Sequence, residues 1–413
     1  MDHFPKINPF REFDRDLKLL LLSLTCRRVV MGFLEVVRAI YFALLGFSPT
    51  QIGILFMIPI AAGAIRSGLV GLLSDKYGRK NFIVIGNLFS TLRLLIYILS
   101  QEFWVLAIAQ VLGAFGEGGG AGQPSVSALI ADKTSPKVRT QIFSRLAFTN
   151  AAAATIGSFM AGFPALFQSR LGFELIPSYH LLFWIGVLFS SVATLLVLPI
   201  VEVRDIRGIE AKVHGFLPKR SWKIIGRFSL VRCIGGLGFG MVSPLLPLYF
   251  YMKFSVGPEM LGPFYALSRF ISMFSYLFVY KIVSIIGEVS SIVFSRLISL
   301  FGIILMPFTK NFYVSAALLV LFRTVALFSM PVRQSFITLI VDPSESASAV
   351  GISNLARMSV RSLAPPLAGY LFENISLSLP FYLGGFLVGL NAMLYQVFFG
   401  NSSRNNGSLG EDR

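Results

Sequence analysis

Twelve long apolar segments are the feature that most limits how this chain can fold. A helix needs about 20 predominantly apolar residues to cross a bilayer, and segments of that length recur along the whole chain between short polar connections. The chain is therefore predicted to be an all-α transmembrane protein with twelve helices. The segments lie at about 19–45, 50–73, 82–100, 103–130, 143–167, 180–200, 224–251, 260–280, 289–308, 312–339, 347–372 and 378–399.

The composition supports a multi-pass membrane protein and excludes several other classes. Of the 413 residues, 55% are hydrophobic and only 14% are charged, which lies outside the soluble range. A formal charge of +16 favours nucleic-acid binding in a soluble domain, but here the basic residues lie in loops or singly within apolar segments. We therefore expect no nucleic-acid partner. Cys26 and Cys233 both lie in apolar segments, and no disulfide, metal site or cofactor is predicted.

The basic residues outside the apolar segments predict the orientation of the chain. With the amino terminus placed inside, the inner connections and tails carry 19 Lys and Arg residues, whereas the outer loops carry only Arg170, Lys253 and Lys310. Cytoplasmic loops carry an excess of Lys and Arg. Both termini are therefore predicted to be cytoplasmic, with the protein in the plasma membrane.

A charged stretch of ten residues, Gly71 to Lys80, separates the second and third apolar segments. It resembles the signature G-x-L-a-D-r-x-G-r-k of the major facilitator superfamily, which joins the second and third helices on the cytoplasmic side in that family. The matching positions are Gly71, Leu73, Asp75, Gly78, Arg79 and Lys80. The resemblance implies that Gly71, Asp75, Gly78 and Arg79 form a conformational gating loop. Asp75 is also placed to cap the following helix or to meet an arginine.

The chain is predicted to consist of two similar halves. The longest polar connection, 201–223, divides it into bundles at 19–200 and 224–399, between a short amino-terminal segment, 1–18, and a polar, disordered tail, 400–413. Phe103-Trp104-Val105 recurs as Phe312-Tyr313-Val314, and Arg28-x-x-x-Gly32 recurs as Arg232-x-x-x-Gly236. These offsets are typical of a duplicated six-helix unit, and two pseudo-symmetric parallel bundles are what the resemblance implies.

Fourteen arginines lie inside the apolar segments, where Glu35 and Glu117 are the only acids. An arginine facing lipid at a helix centre costs roughly 2.5–3.5 kcal/mol, so most of them should face a cavity, a partner or the interface. Glu35 and Arg38 share a helical face and are predicted to form an ion pair. Arg357 and Arg361 also share a face, where like charges repel unless an anion or acid lies between them. The substrate-binding candidates are Arg38, Arg323, Arg357 and Arg361.

The same charges permit a second interpretation, in which the arginines pair with Glu35, Glu117 or loop carbonyls as a structural or gating network. Glu35 and Glu117 are also the candidates for proton coupling, because they are the only acids inside the spans. Gln110 lies where many members of the family carry an arginine, which weakens any transfer of that arginine's coupling chemistry. Glu117 stands in a run of glycines that is more typical of close helix packing.

The sequence contains no phosphate-binding loop of the G-x-x-x-x-G-K-[ST] type, no H-E-x-x-H and no G-x-S-x-G, so no enzyme is predicted. The resemblance implies a monomeric secondary active transporter that moves a small solute by alternating access, driven by a proton or another coupling ion. The arginine-rich interior favours an organic anion. Export of a drug-like amphiphile is the main alternative, and a non-transporting sensor is a third, which the short central connection and tail disfavour.

Overall fold

The computed structural model describes residues 15–77, 79–116, 130, 136–201, 221–342 and 345–407. Within these ranges the chain forms fifteen α-helices, and a short 3₁₀ helix, Met306–Phe308, follows the eleventh. The helices are α1 (Arg15–Leu44), α2 (Pro49–Tyr77), α3 (Arg79–Leu99), α4 (Phe103–Gly116), α5 (Pro136–Met160), α6 (Phe163–Leu171), α7 (Leu175–Val197), α8 (Trp222–Val242), α9 (Leu246–Phe254), α10 (Pro258–Ile286), α11 (Glu288–Leu305), α12 (Phe312–Ile340), α13 (Ser346–Ser362), α14 (Ala364–Asn374) and α15 (Leu379–Gly407).

These helices confirm the all-α transmembrane fold. Eight spanning elements in the described ranges are long and apolar enough to cross a membrane. The other four predicted segments correspond to α1, α4, α10 and the pair α13 and α14. Three of these carry arginines in their middle, and α4 is described only as far as Gly116. Several of the charges that lower their hydropathy, such as Arg28, Arg269 and Arg361, line the cavity described below.

Three predicted segments that read as continuous are each built from two helices. The breaks fall between α5 and α6, α8 and α9, and α13 and α14, and the second helix of each pair has a proline, Pro164, Pro247 or Pro365, in its first turn. Proline lacks the backbone N–H, so it is tolerated in a first turn and ends a helix that arrives from before it. Pro59, by contrast, lies inside α2 without ending it.

Two sequence-based boundaries are wrong because helices continue through polar residues. The stretch from Gly71 to Lys80 is not a ten-residue loop, since α2 runs to Tyr77 and α3 begins at Arg79. The backbone of Asp75 lies in the last turn of α2, and Gly78 lies outside the described residues. The tail predicted to be disordered is helical as far as Gly407. Extending a formed helix costs little, because each added residue gains one hydrogen bond.

The helices pack as two bundles with the same internal arrangement. In the first half α1 packs against α5 and α7, and α3 packs against α4 and α7. In the second half α8 packs in the same way against α13 and α15, and α11 packs against α12 and α15. The repeated motifs follow this symmetry, because Phe103 begins α4 and Phe312 begins α12. The two pseudo-symmetric bundles are thereby confirmed, while their exact sequence boundaries remain predictions.

We call the side of the bundle where α1 begins the amino-terminal face, and the side where α1 ends the opposite face. Near the opposite face one apolar core contains residues of both halves, such as Phe42 and Tyr249. Toward the amino-terminal face each half has its own core, around Leu20 in the first half and around Phe228 in the second. In the described part of the chain, the apolar core shared by the two halves therefore lies near the opposite face.

A carboxylate also links the halves at the opposite face. Glu373, in the last turn of α14, accepts a hydrogen bond from the backbone N–H of Thr50 in the first turn of α2, at 3.1 Å. Hydrogen bonds from the Thr50 and Ser48 side chains and from this N–H lower the pKa of the Glu373 carboxyl below its ordinary value of 4.5. An anion at a helix N-terminus is also favoured by the helix dipole.

We expect Glu373→Gln to weaken this link slightly and in a pH-dependent way. Because the pKa of the Glu373 carboxyl is lowered, the stabilisation by this link is fully present above about pH 4.5. It is lost as the pH falls below that value and the carboxylate becomes protonated. The difference in melting temperature between wild type and Glu373→Gln should be constant from pH 5 to 8 and should shrink below about pH 4.5. Glu174→Gln is the matched control, because Glu174 is exposed and makes no capping bond at the start of α7. An equal loss in both variants would contradict the assignment.

Candidate functional site

Glu35, on α1, joins two arginines of the second half. Arg323 of α12 approaches Glu35 with its Nη2 atom 2.7 Å from Oε1, and Arg269 of α10 forms an ion pair with Oε2. Arg269 also donates to the Ala154 carbonyl at 2.5 Å and to Ser158 Oγ at 3.0 Å. This network therefore ties α1 and α5 of the first half to α10 and α12 of the second.

The charges of this network are balanced, because each charged group lies beside an opposite charge and the arginines form further hydrogen bonds. The side chains of Arg269 and Arg323 are only 12% and 9% exposed, whereas that of Glu35 is 38% exposed. Arg323 also donates from Nε to Ser268 Oγ at 3.2 Å, and its guanidinium lies 4.1 Å from the centre of the Tyr265 ring. Buried charges are stable only when they are paired in this manner. Glu35 is the member of the network that reaches the cavity.

The predicted ion pair between Glu35 and Arg38 does not form. Both carboxylate oxygens of Glu35 are occupied by arginines of other helices. Arg38 instead donates to the Leu34 carbonyl at 3.3 Å and to Gln110 Oε1 at 3.5 Å, and its guanidinium lies over the Phe56 ring. Gln110 in turn donates to the Tyr97 hydroxyl at 2.8 Å. A cation from α1 thus approaches Gln110.

A cavity of about 330 Å³ lies between the halves beside this network. Its walls come from α1, α2, α10 and α13, with Ala114 of α4 and with Ser243 and Pro244 from the break between α8 and α9. Among the described residues, five arginines and one glutamate line it, so this part of the lining is strongly cationic. They are Arg28, Arg38, Arg66, Arg269, Arg361 and Glu35. Apolar side chains, including Phe56, Ile60 and Met358, form the rest of the wall.

The structure brings together only part of the predicted site. Arg38 and Arg361 line the cavity, whereas Arg323 is engaged with Glu35 and Arg357 donates to Asn354 Oδ1 at 2.8 Å outside the lining. Glu117 lies outside the described residues.

The gating-loop residues are described to different extents. Gly71 and Asp75 are described as helical backbone, and Arg79 is half-buried at the start of α3.

Sequence reasoning missed Arg28, Arg66 and Arg269 as site residues, although all three stand inside apolar segments. The sequence feature that could identify them is a charged side chain inside an apolar segment that flanks the centre of the fold. Sequence spacing alone did not separate them from arginines with other roles, such as Arg93, which is fully buried against Gly113. Only the packing of α1, α2 and α10 shows that they share one cavity.

Two six-helix halves around a charged internal cavity define the class of multi-pass membrane transporters. Residues 20–365 match the Major Facilitator Superfamily, and the chain belongs to that family.

Two relatives and one solved structure are similar to this chain. The membrane protein YJR124C of Saccharomyces cerevisiae is 22% identical, covering 92% of this chain and 93% of the relative. The quinolone resistance protein NorA of Staphylococcus aureus is also 22% identical, covering 86% of this chain and 88% of its own length. The crystal structure of the human organic anion transporter MFSD10 superimposes with a TM-score of 0.62 at 16% identity, covering 92% of this chain and 99% of that one. At this level of identity the structural likeness shows the fold alone.

Proposed function

We propose that this protein is a secondary active transporter that moves an organic anion by alternating access. The observation that carries the proposal is the charge of the cavity, whose described lining holds five arginines and one glutamate. Like charges in a confined space of low dielectric repel one another unless an anion lies between them. Guanidinium groups bind carboxylate and phosphate oxygens through two parallel hydrogen bonds. An anionic substrate is therefore attracted by the net positive charge of this lining.

The size and walls of the cavity favour an organic rather than a simple inorganic anion. A volume of about 330 Å³ falls in the range of small-molecule sites. Phe56, Ile60 and Met358 offer apolar surface beside the arginines. The related fold of MFSD10, which is an organic anion transporter, agrees with this substrate class.

Coupling of transport to a proton or another cation is proposed to act through Glu35. Its carboxylate holds Arg269 and Arg323 of the other half, and protonation removes the charge that attracts them. Protonation of Glu35 therefore weakens the ionic link between the two halves. The charge distribution of the connections supports a cytoplasmic amino-terminal face, and the plasma membrane is the proposed location. A monomer contains the whole cavity and is sufficient for this mechanism.

Export of drug-like amphiphiles is a second candidate, and the similarity to NorA favours it. In that case the apolar wall and the exposed part of the Glu35 side chain bind a cationic substrate, and the arginines are mainly structural. The two candidates differ in the charge of the ligand that binds. A binding screen with organic anions and cationic amphiphiles therefore separates them.

We expect Arg361→Gln to weaken binding of an organic anion about tenfold to a hundredfold. A hydrogen bond to a charged group contributes about 1.5–3 kcal/mol, and Arg361 lines the cavity. The measurement is the shift in melting temperature of the purified protein with increasing concentrations of sugar phosphates, dicarboxylates and aromatic carboxylates. Uptake into proteoliposomes then tests the compounds that bind. Arg170→Gln is the control, because it removes one charge from an exposed position in α6.

Two outcomes would reject the anion proposal. In the first, cationic amphiphiles stabilise the protein and anions do not, which moves the assignment to drug export. In the second, anions stabilise wild type, Arg361→Gln and Arg170→Gln with the same midpoint concentration, which shows binding outside the cavity.

A further inference from the structure

A second group of arginines lies in the carboxy-terminal half, outside the lining of the cavity. Arg232 of α8, Arg333 of α12 and Arg357 of α13 interact electrostatically with one another. Arg232 donates to Ser353 Oγ at 3.1 Å, and its guanidinium lies 5.6 Å from the centre of the Phe228 ring. Tyr395 of α15 completes the group as a neighbour of Arg232 and Arg333. We call these four residues the second arginine cluster.

The second arginine cluster lacks an acid among the described residues. The charged neighbours of Arg357 are Arg361, Arg232 and Arg333, all of them cations. The ionisable neighbours of Arg333 among the described residues are Arg232 and the Tyr395 hydroxyl. This distinguishes the cluster from the network around Glu35, in which a carboxylate balances two arginines. Three cations held together without an acid attract an anion.

Several donors of the cluster also lack a hydrogen-bond partner. Arg333 Nη1, Arg357 Nε and the Tyr395 hydroxyl are buried atoms without a partner in the described structure. Buried donors in proteins are nearly always satisfied, and an unsatisfied one indicates a missing ligand, ion or water. The three arginine side chains are only partly buried as a whole, so a ligand can reach them.

Close packing of two helices holds the cluster in place. Gly236 of α8 lies against Arg357, where a Cβ atom would be 2.9 Å from Arg357 Cγ. Arg357 donates from Nη2 to Asn354 Oδ1 at 2.8 Å, which fixes one end of its guanidinium. The unsatisfied Nε therefore belongs to an ordered side chain and not to a freely rotating one.

We propose that the second arginine cluster binds an oxyanion of the phosphate type, separately from the transported substrate. A tetrahedral phosphate offers several acceptor oxygens, enough for the unsatisfied donors of Arg333, Arg357 and Tyr395. The source is either a soluble phosphate or the headgroup of an anionic lipid, since both present the same oxygens. Because Arg361 neighbours Arg357 and lines the cavity, an anion here also lowers the repulsion felt at the substrate site.

The test uses the full-length protein in an uncharged detergent, titrated with inorganic phosphate against chloride at matched ionic strength. We expect the melting temperature to rise saturably with phosphate. Tyr395→Phe keeps the aromatic ring and removes one donor, so the midpoint concentration should rise severalfold. Arg333→Gln should raise it at least tenfold. Arg66→Gln removes a cation of the cavity lining instead and should leave the midpoint unchanged.

A second arm identifies the source of the anion. The same proteins are reconstituted in nanodiscs of phosphatidylcholine alone or with phosphatidic acid. Stabilisation by phosphatidic acid that Tyr395→Phe and Arg333→Gln weaken assigns the cluster to a lipid headgroup, even where inorganic phosphate has no effect. Stabilisation by inorganic phosphate alone assigns it to a soluble ion.

Two results would overturn the proposal. One is that neither phosphate nor phosphatidic acid stabilises the wild-type protein. The other is that the response is lost in Arg66→Gln and retained in both Tyr395→Phe and Arg333→Gln, which would place the phosphate in the cavity. Binding of the organic anions in the same proteins reports on the proposed transport site, so failure of one assignment is distinguishable from failure of the other.

Discussion

Replacing Glu35 by glutamine is expected to abolish coupled transport and to destabilise the protein. The carboxylate balances Arg269 and Arg323, two side chains that are about 90% buried. Removing one partner of a buried ion pair costs about 3–5 kcal/mol, because the remaining charge stays buried without compensation. The 38% exposure of the Glu35 side chain lets water screen part of this cost, so the loss should fall below that range.

The decisive measurement is transport in proteoliposomes with and without a pH gradient. Glu35→Gln cannot lose a proton, so its remaining transport should no longer respond to the gradient. Glu102→Gln, at an exposed position before α4, removes the same charge and should behave as wild type. The double variant Glu35→Gln with Arg323→Gln should recover part of the stability, because one uncompensated cation is gone, but it should not recover transport. Gradient-driven transport in Glu35→Gln would exclude Glu35 as the coupling group.

The fold could be predicted from the sequence because the bilayer imposes a length and a hydropathy on each span. The segments that begin at Phe103 and Phe312 were placed correctly, and so was their symmetry. The breaks are not predictable in this way, since a proline such as Pro59 can lie inside a helix while Pro365 lies in the first turn of a new one. The difference depends on the surrounding packing, which sequence alone does not reveal.

The candidate site was predicted less well because spacing along a helix identifies only neighbours on that helix. It paired Glu35 with Arg38, whereas the actual partners, Arg269 and Arg323, lie more than 200 residues away in the chain. The charge count predicted a cationic interior, and the described lining of the cavity is rich in arginine. It did not give the division of the arginines into a balanced network, a cavity lining and the second arginine cluster, because each group draws on several helices.

Separation of the halves at the opposite face should depend on glycines that let the bundles touch. Gly53 of α2 lies directly against the Pro365 carbonyl, and Gly369 of α14 lies against the Pro49 carbonyl. On the other side of the same face, Gly262 of α10 meets the Ser158 carbonyl. At each glycine an added side chain would overlap backbone atoms, which cannot move aside without shifting a whole helix.

We therefore expect Gly53→Val to hold the opposite face apart and to reduce transport by at least tenfold, while each bundle stays folded. Each half keeps its own core near the amino-terminal face, so the change shifts the conformational equilibrium more than it unfolds the chain. Spin labels at Arg170→Cys and Lys310→Cys, in a background lacking Cys26 and Cys233, report the distance between the halves at this face.

The matched control is Gly226→Val, because a Cβ atom at Gly226 of α8 would meet nothing within 4 Å. The spin-label distance should lengthen in Gly53→Val and stay unchanged in Gly226→Val. If the distance and the transport rate are the same in both variants, contact between Gly53 and Pro365 does not control closure. If Gly53→Val alone lengthens the distance and stops transport, the joined opposite face is an obligatory state of the cycle, as alternating access requires.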